Sequence, residues 1–437
     1  MEIVQILKEE FDSFANTHPN RNFYQTSSYG MLMDRHNFDD YYLAMKDESG
    51  SIKAATLILI NKVFIGYKWG YCPRGFLIDF NDFNLLETFT KLLKDFLNKR
   101  NFMFIKIDPY IIYKSRNKDG KENGNIDNTR IIDELKSLGY EHGGFNLNFE
   151  NSKPRWNAVI TTNSEEQLFS RYNKEIRNKI RKSQRLGIEV IKGNPDTVKD
   201  FYSLISRKQK RRLNYYLDMM EIMGKNGMFE IYFAILNTAK YIEMSQLAFE
   251  VEERKNNEIN QELEENINSN NTANIIKRKM DSDTLLNNCK QNIIKATNLY
   301  KQFPEGIVVG TSAIIKYNNE IFFLIDGYKP EFKSYCPNHS LKFQIIEKFR
   351  KEGFTRMHLN GISGDFENSN NPYRGLTKFK LGFAADIEEY IGEFSLVINK
   401  GKYKTFKKIN PIRIWLKQPL FNPNKKEKKV KEKKKKH

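Results

Sequence analysis

The sequence predicts a mixed α/β protein in which one α/β pattern occurs twice and a long helical hairpin lies between the two occurrences. In each half, two strand-like segments precede a segment with amphipathic helix spacing and then a further strand. Between the halves, residues 242–301 contain neither proline nor glycine. A chain of 437 residues fits about two to four domains.

The first half alternates strand and helix patterns, separated by turn residues. The turn Asp47-Glu48-Ser49-Gly50 joins two apolar runs, and leucines and phenylalanines recur every three or four residues after position 85. The expected elements are strands 41–46 and 52–61, helix 85–97, strand 102–107, a polar loop 114–128, helix 131–138 and strand 145–149.

The second half repeats this order after residue 305, so we interpret the chain as a duplicated α/β domain. A Leu-Gly-aromatic triplet precedes the last strand in both halves, at Leu138-Gly139-Tyr140 and Leu381-Gly382-Phe383. The expected elements are strands 307–316 and 320–325, helix 341–351, strand 354–359 and a final strand near 389–394.

The intervening segment predicts an antiparallel helical hairpin. Leu247, Val251 and Ile259 begin an apolar stripe that residues 269–274 interrupt and that continues to Tyr300. Each arm of about 25 residues would reach roughly 40 Å. Because the stripe is narrow and the other faces are charged, the hairpin is expected to project from the body. It could be a spacer or an arm that binds a partner or tRNA.

The charge favours a polyanionic partner. The chain carries a formal net charge of +18, and residues 425–437 supply seven of those charges through nine lysines and two glutamates. The rest of the chain stays basic, which suits nucleic acid, anionic lipid or a phosphorylated ligand. The tail could be a solvated end or a tether to lipid or RNA.

The cysteines and hydropathy predict a reduced, cytoplasmic protein. Cys72, Cys289 and Cys336 are odd in number and widely spaced, so they predict neither a disulfide framework nor a CxxC metal site. The N-terminus lacks a signal-peptide core, and no apolar run is long enough to span a bilayer.

The most basic segment predicts a helix that presents a cationic ridge. Ile176 and Ile180 would be buried on one side. The other side suits phosphate backbones, or is simply a solvated face. Its candidate RNA-binding residues are Lys174, Arg177, Lys179, Arg181 and Lys182.

Two further motifs could carry chemistry, although HExxH, GxSxG and P-loop motifs are absent from the sequence. Arg211 and Tyr215 lie one helical turn apart, so a forked cation and an aromatic hydroxyl could face one ligand. Near the C-terminus, glycine and proline are expected to shape a tight connection before Phe379 and Lys380. A lysine held there could stabilise an oxyanion.

An ordered set of motifs across roughly residues 1–410 resembles the Fem peptidyltransferases, aminoacyl-tRNA-dependent enzymes that build peptidoglycan cross-bridges. The motifs are Phe23-Tyr24-Gln25-Thr26-Ser27, Tyr71-Cys72-Pro73-Arg74-Gly75, Lys106-Ile107-Asp108-Pro109, Lys153-Pro154-Arg155-Trp156, Arg185-Leu186-Gly187, Phe201-Tyr202, Arg211, Tyr215-Tyr216, Asn360-Gly361, Lys378-Phe379-Lys380 and Glu389-Tyr390-Ile391-Gly392.

The resemblance implies two GNAT-like acyltransferase domains with a coiled-coil arm inserted in the second. The expected segments are a first domain at 1–152, the second domain at 153–241 and 305–415, the arm at 242–304, and a basic tail at 416–437. The implied reaction moves an amino acid from aminoacyl-tRNA to an amine of a lipid-linked or UDP-linked muropeptide, without a metal or a cofactor. Peripheral binding to the inner membrane face and a dimer with itself or a related protein are left open.

The resemblance also implies residue roles. Lys380 matches the family's catalytic lysine and Phe379 its neighbour, and Asp108 is a candidate for orienting the nucleophile. The substrate-binding candidates are Arg211, Tyr215, Tyr216 and Arg74.

Two departures keep other functions open. Met33 stands where the family often has a phosphate-binding lysine, so that Arg35 or Arg74 would have to substitute, and Phe322-Phe323 stands where tyrosine is commoner. An acetyl-CoA-dependent GNAT enzyme is one alternative, although its (Q/R)xxGx(G/A) phosphate turn is missing. A non-catalytic scaffold that binds tRNA or a partner is the other.

Overall fold

The computed structural model describes residues 1–62, 66–150, 152–206, 211–266 and 271–417. Its strands are β1 (Glu2–Gln5), β2 (Asp39–Lys46), β3 (Ile52–Lys62), β4 (Lys68–Cys72), β5 (Phe102–Ile107), β6 (Ile112–Arg116), β7 (Glu122–Asp127), β8 (Tyr140–His142), β9 (Trp156–Thr161), β10 (Ile188–Lys192), β11 (Phe229–Leu236), β12 (Ile307–Tyr317), β13 (Glu320–Tyr328), β14 (Arg356–Gly361), β15 (Asp386–Tyr390) and β16 (Phe394–Val397). Its α-helices are α1 (Lys8–Thr17), α2 (Ser27–Asp34), α3 (Phe83–Asn98), α4 (Thr129–Ser137), α5 (Leu168–Arg171), α6 (Lys174–Arg185), α7 (Val198–Ile205), α8 (Leu213–Met219), α9 (Thr238–Glu265), α10 (Thr272–Gln302), α11 (Pro337–Lys351), α12 (Arg374–Leu381) and α13 (Lys400–Lys417).

The strands form two mixed sheets with helices packed against them, which confirms the predicted α/β class. The first sheet has the order β1-β2-β3-β4-β5-β16-β8, and the second β10-β11-β12-β13-β14-β9-β15-β6-β7. Each begins with four antiparallel strands. In each, a helix then crosses over to a parallel partner, α3 between β4 and β5 and α11 between β13 and β14.

The two crossover helices follow from local sequence. Asp82 caps α3 by accepting a hydrogen bond from the backbone N–H of Leu85 at 2.9 Å. Leu86, Phe89 and Leu93 recur on one face of α3 and are buried. Helix α11 begins at Pro337, whose fixed φ and missing N–H suit a first helical position.

The sheets exchange strands, so that a single cut at residue 152 does not separate them. Strand β16 pairs with β5 in the first sheet, although it lies near the C-terminus. Strands β6 and β7 join the second sheet through β15. A shared core also crosses the boundary, where the rings of Phe23 and Phe322 lie 4.9 Å apart.

Three local predictions were wrong because distant pairing decides these segments. Residues 114–128, predicted as a loop, carry the β6–β7 hairpin, which β15 fixes by pairing with β6. Residues 145–149 are irregular, since the strand lies at Tyr140–His142 and pairs with β16. The single final strand is two strands in different sheets, separated at Gly392, whose φ is +98°.

The segment between the halves forms two long helices, α9 and α10, packed antiparallel. Between them, the Asn256 amide donates to Ser282 Oγ at 3.1 Å, and Ser282 donates to Glu252 at 2.8 Å. The predicted apolar stripe is only partly buried: Ile259 lies inside, whereas Val251 is 59% exposed. A polar layer in a helical pair fixes its register.

Candidate active site

A buried carboxylate lies at the carboxyl end of β5. Asp108 accepts a hydrogen bond from the Tyr71 hydroxyl at 2.8 Å and one from the backbone N–H of Arg74 at 2.7 Å. Burial raises the pKa of Asp108. Since each oxygen has a protein donor, this carboxylate holds the loop after β4 in place.

Two cations converge next to this carboxylate. The buried Arg74 guanidinium lies 4.6 Å from the Tyr390 ring centroid and donates to the carbonyl oxygen of Pro154 at 3.3 Å. The ammonium of Lys153 lies 3.4 Å from the ring centroid of Tyr24, a cation–π contact.

The third cation is Arg211, whose guanidinium lies 4.6 Å from the Tyr215 ring centroid. Burial lowers the pKa of Lys153 to about 7. Asp108 acts against this shift, whereas the nearby charges of Arg74 and Arg211 add to it. We call these four charged residues the Asp108 cluster; with three cations and one carboxylate, it suits an anionic ligand.

The two neighbouring tyrosines differ in their surroundings. Tyr215 lies under Arg211 at the edge of the cluster, with 9% of its surface exposed. Tyr216 packs into the core, where its ring centroid lies 5.3 Å from that of Phe201. The predicted substrate contact of Tyr216 therefore stays a prediction, without a place in the cluster.

A second site surrounds Lys380, on the other half of the molecule. Its ammonium donates a hydrogen bond to the carbonyl oxygen of Gly361, at the end of β14, at 2.7 Å. It lines a cleft of about 560 Å³, the Lys380 cleft, together with Phe323 and Phe379. Burial lowers the pKa of Lys380 to about 7, the Lys342 charge adds to this, and Asp326 opposes it.

A tight turn precedes Phe379 and Lys380, as expected, and a helix that the sequence did not predict carries these two residues. The turn is confined to the residues before α12, where the Asn371 side chain accepts from the backbone N–H of Tyr373 at 2.9 Å. Helix α12 then runs from Arg374 to Leu381. Phe379 and Lys380 therefore project from a helix into the cleft.

The two sites meet at one short segment. The carbonyl that receives Lys380 belongs to Gly361, and a Cβ atom there would lie 2.5 Å from Pro154 Cγ. The carbonyl of Pro154 in turn accepts from Arg74. Because both contacts involve Pro154, the Lys380 cleft and the Asp108 cluster are neighbours joined through this residue.

The basic helix α6 packs against the end of α12. Asn173 caps α6, and its backbone N–H donates to the carbonyl of Gly382 at 3.0 Å. A Cβ atom at Gly382 would lie 2.6 Å from Ile176 Cγ1, so only glycine permits this approach. Lys179 lines a further cleft of about 930 Å³ that shares Phe379 with the Lys380 cleft.

The five cations predicted on α6 are not equivalent. Arg177 donates to the backbone carbonyls of Ser170 and Tyr172 at 2.8 and 2.7 Å, so it fastens the preceding turn. Arg181 lies 5.3 Å from the Phe169 ring. Lys174 and Lys182 are exposed.

Met33, which stands where the family often has a lysine, is buried in the core. The two arginines proposed to replace that lysine have different surroundings. Arg35 pairs with Asp218 at 3.0 Å and Glu221 at 2.7 Å. Arg74 belongs to the Asp108 cluster.

The structure brings Asp108, Arg74, Arg211 and Tyr215 to one site and places Lys380 with Phe379 at another. Sequence reasoning instead groups Asp108 with Lys380 and Phe379 as catalytic candidates. It missed functional candidates that the fold adds: Lys153, Tyr24, Tyr71, Asp326 and Lys342. Lys153 stands in the motif Lys153-Pro154-Arg155-Trp156, which served only as a landmark, and adjacency to proline was its one signal.

Among the described residues, no group of three or more histidine, cysteine, aspartate or glutamate side chains is placed to hold a metal ion. Within the same ranges, no helix is both long and apolar enough to cross a bilayer.

Comparison with known proteins agrees with the geometry. A family model described as "FemAB family" matches residues 6–410. The chain belongs to the FemAB family. This confirms the resemblance found in the sequence and the predicted class of enzyme, an acyltransferase.

Individual relatives match along their whole length. The aminoacyltransferase FemA of Staphylococcus epidermidis is 23% identical over 425 residues, covering 94% of this chain and 100% of the relative. FemA of Staphylococcus aureus strain RF122 is 22% identical, with 94% and 99% covered. The crystal structure of FemX superimposes with a TM-score of 0.72 at 21% identity, covering 93% of this chain and 99% of that one, which shows a common fold.

Proposed function

We propose that this chain transfers an amino acid from aminoacyl-tRNA to an amine of a peptidoglycan precursor, either on the stem peptide or on a growing interpeptide bridge. The observation that carries the proposal is the placement of Lys380, which is partly desolvated in an aromatic-lined cleft and connected to the cationic cluster through Gly361 and Pro154. The proposal gives the two sites separate tasks.

The Asp108 cluster receives the acceptor. A lipid-linked or UDP-linked precursor carries phosphates, and arginine offers a fork of donors that matches them. Arg74, Lys153 and Arg211 provide three cations around Asp108. Tyr215 and Tyr24 supply ring faces next to them, which suits a sugar or a base.

The Lys380 cleft receives the ester. The attacking amine must be neutral, and a free lysine amine has a pKa near 10.4, so it must be desolvated or deprotonated on binding. Attack forms a C–N bond and an oxyanion, and the C–O bond of the ester then breaks. The proton that the amine loses ends on the ribose oxygen.

Lys380 fits the role of oxyanion donor. Its ammonium has three N–H groups, and the hydrogen bond to Gly361 uses one of them. The other two can face the carbonyl oxygen as it gains charge. A donor already fixed in position stabilises such a charge more than water does. Asp108 orients the loop of Arg74, and its direct contact with the nucleophile stays a prediction.

The fold supports a tandem arrangement of two GNAT-like domains with α9 and α10 inserted in the second. Both sheets have four antiparallel strands, a crossover helix and a parallel strand in the same order. The inserted helices are 28 and 31 residues long. We assign to them and to α6 the contact with the tRNA body, because α6 borders the cleft that continues from Lys380.

A reconstituted reaction tests the proposal. The purified chain is mixed with a panel of charged tRNAs and with lipid-linked or UDP-linked precursor, and the products are weighed by mass spectrometry. The expected product gains the mass of one amino acid. No gain with any pair would contradict the proposal, and a gain of 42 Da with acetyl-CoA instead would show a CoA-dependent enzyme.

Membrane association is a separate part of the proposal. The predicted basic tail lies, from residue 418 on, outside the described residues, and its lysines would each add about 1 kcal/mol at an anionic surface. Flotation with vesicles containing phosphatidylglycerol should recover the full chain and not a chain ending at Lys417. Equal recovery of both, or of neither, would contradict a tether. Light scattering in the same buffers measures whether the chain forms a dimer.

A further inference from the structure

An ion pair between a buried lysine and a carboxylate that is 25% exposed lies next to Lys380, in a place the sequence did not single out. Asp326 of β13 accepts hydrogen bonds from Lys342 Nζ and Ser312 Oγ, each at 2.7 Å. Lys342, on α11, is 1% exposed, and its ammonium lies 3.7 Å from the ring centroid of Phe323. Asp326 lines the same cleft as Lys380.

Burial of the Lys342 charge carries a desolvation penalty that lowers the free energy of unfolding. A lysine buried in an ion pair often adds nothing to stability compared with an apolar residue of similar volume, because its charge is removed from water, and Lys342 is such a lysine. The neighbours of Lys342 on the same helix, Leu341 and Ile345, are buried apolar residues. An apolar side chain would therefore suit this position, so that the pair calls for a reason outside packing.

The two charges of this ion pair act on Lys380. After burial, Lys342 and Asp326 act on Lys380 most strongly, and in opposite directions. Although burial alone would raise the pKa of Asp326, Lys342 and Ser312 hold it below its usual value, so Asp326 stays charged. The other titratable groups that line this cleft are Tyr328, Lys333, Cys336 and His339. The adjoining cleft adds Lys118, Asp119, Lys121, Glu175, Lys179, Asp365, Glu367, Arg374 and Lys378.

We propose that Asp326 and Lys342 are positioning residues that together set the charge on Lys380 while the ester is attacked. Lys380 must be protonated to donate to the oxyanion. Without Asp326, the Lys342 charge would favour loss of the proton from Lys380. Without Lys342, Asp326 would hold the Lys380 ammonium in an ion pair. Paired with each other, they leave Lys380 protonated at pH values below its midpoint and free to turn to the substrate. The consequence for transfer rests on the proposed function, whereas the charge on Lys380 does not.

The charge on Lys380 can be measured without the aminoacyl transfer reaction. Competitive labelling of the folded protein with acetic anhydride over a range of pH, read by peptide mass spectrometry, gives the pH at which half of Lys380 is neutral. Asp326→Asn should lower this midpoint by about one pH unit, and Lys342→Met should raise it by about as much. The double variant should return close to the wild-type midpoint. Lys348→Met, on an exposed face of α11, is the matched control.

A second measurement follows the reaction. The transfer rate should fall as pH rises through the Lys380 midpoint, and this fall should move down in Asp326→Asn and be absent in Lys380→Arg, which keeps its charge. If Lys342→Met does not fold, the comparison of Asp326→Asn with the double variant still decides. The inference would be overturned if the Lys380 labelling midpoint were the same in the wild type and in the variants. It would also be overturned if Asp326→Asn and Lys342→Met moved the midpoint in the same direction. Shifted midpoints in a protein without transfer activity would instead refute the proposed function.

Discussion

The two halves use the same crossover for different chemistry. In the first half, β4 and β5 are parallel, and the residue after β5 is Asp108, a carboxylate that holds the Arg74 loop. In the second half, β13 and β14 are parallel, and β14 ends at Gly361, whose carbonyl receives Lys380. A carboxyl group thus stands in one half where a backbone carbonyl stands in the other.

This difference explains why one site gathers cations and the other holds a reactive one. A carboxylate offsets the repulsion among Arg74, Lys153 and Arg211, so three cations can stay together for a ligand with more than one negative charge. A carbonyl orients Lys380 without neutralising it. The comparison predicts that losing the second-half lysine stops the chemistry, whereas losing a first-half cation weakens acceptor binding.

The largest effect is expected at Lys380. Lys380→Met should lower kcat at least 100-fold, because the oxyanion loses its charged donor, while the KM for the precursor stays within about threefold. The matched control is Lys378→Met, an exposed lysine on the same helix. Steady-state kinetics measure both constants. A variant that keeps kcat and loses precursor affinity would reverse the tasks assigned to the two halves.

A smaller effect is expected at Arg211. Arg211→Gln should raise the KM for the precursor about 10- to 100-fold, which corresponds to the loss of a charge-assisted hydrogen bond, with kcat changed less than fivefold. The neighbouring Arg212, also exposed, provides the control Arg212→Gln. The assignment would be contradicted if both variants behaved alike, or if a precursor lacking its phosphates showed the same rise in KM.

Much of this fold could be predicted, because its elements have strong local signals. The crossover helices and the long strands β3 and β12 follow from apolar periodicity and from turn residues. The exchanged strands could not be predicted in the same way. Strand β7 is exposed along its whole length, and only its pairing with β6, itself paired with β15, makes it a strand. Pairing between residues more than 250 positions apart leaves no local pattern.

The site shows the same division. Lys380, Arg211 and Asp108 were found through ordered motifs, and their residue types suit their surroundings. Lys342 lies inside a helix, and because a lysine is rarely buried, the sequence alone suggests that its side chain is exposed. Its burial and its contact with Asp326 arise from the packing of α11 on β13. Only the assembled structure reveals such a residue.

The pH dependence of acceptor binding separates the halves further. The pKa of Lys153 is lowered to about 7, so this residue loses its charge as pH rises from 6 to 8. Binding of the precursor should therefore weaken about fivefold over this range. Lys153→Arg, which stays charged, should remove the dependence, and Lys153→Gln should bind weakly at every pH. Isothermal titration calorimetry measures all three, and a wild-type affinity that does not vary with pH would contradict a role for the Lys153 charge.

The smallest effects per residue are expected in the salt dependence of binding, which should distinguish the α6 surface from the Asp108 cluster. Lys174 and Lys182 are exposed on α6, so each should contribute one screened phosphate contact, and replacing either with alanine should weaken tRNA binding about threefold and reduce the salt slope by about one. Of the three acceptor cations, Arg74 is buried and Lys153 is half-buried, so precursor affinity should vary less with salt. Arg177→Ala is the informative contrast, because its guanidinium fastens the turn before α6. It should lower the melting temperature, which the two lysine variants should leave unchanged. A salt slope that is equal for tRNA and precursor would mean that both ligands bind exposed charge, and the distinction between the halves would then fail at this level.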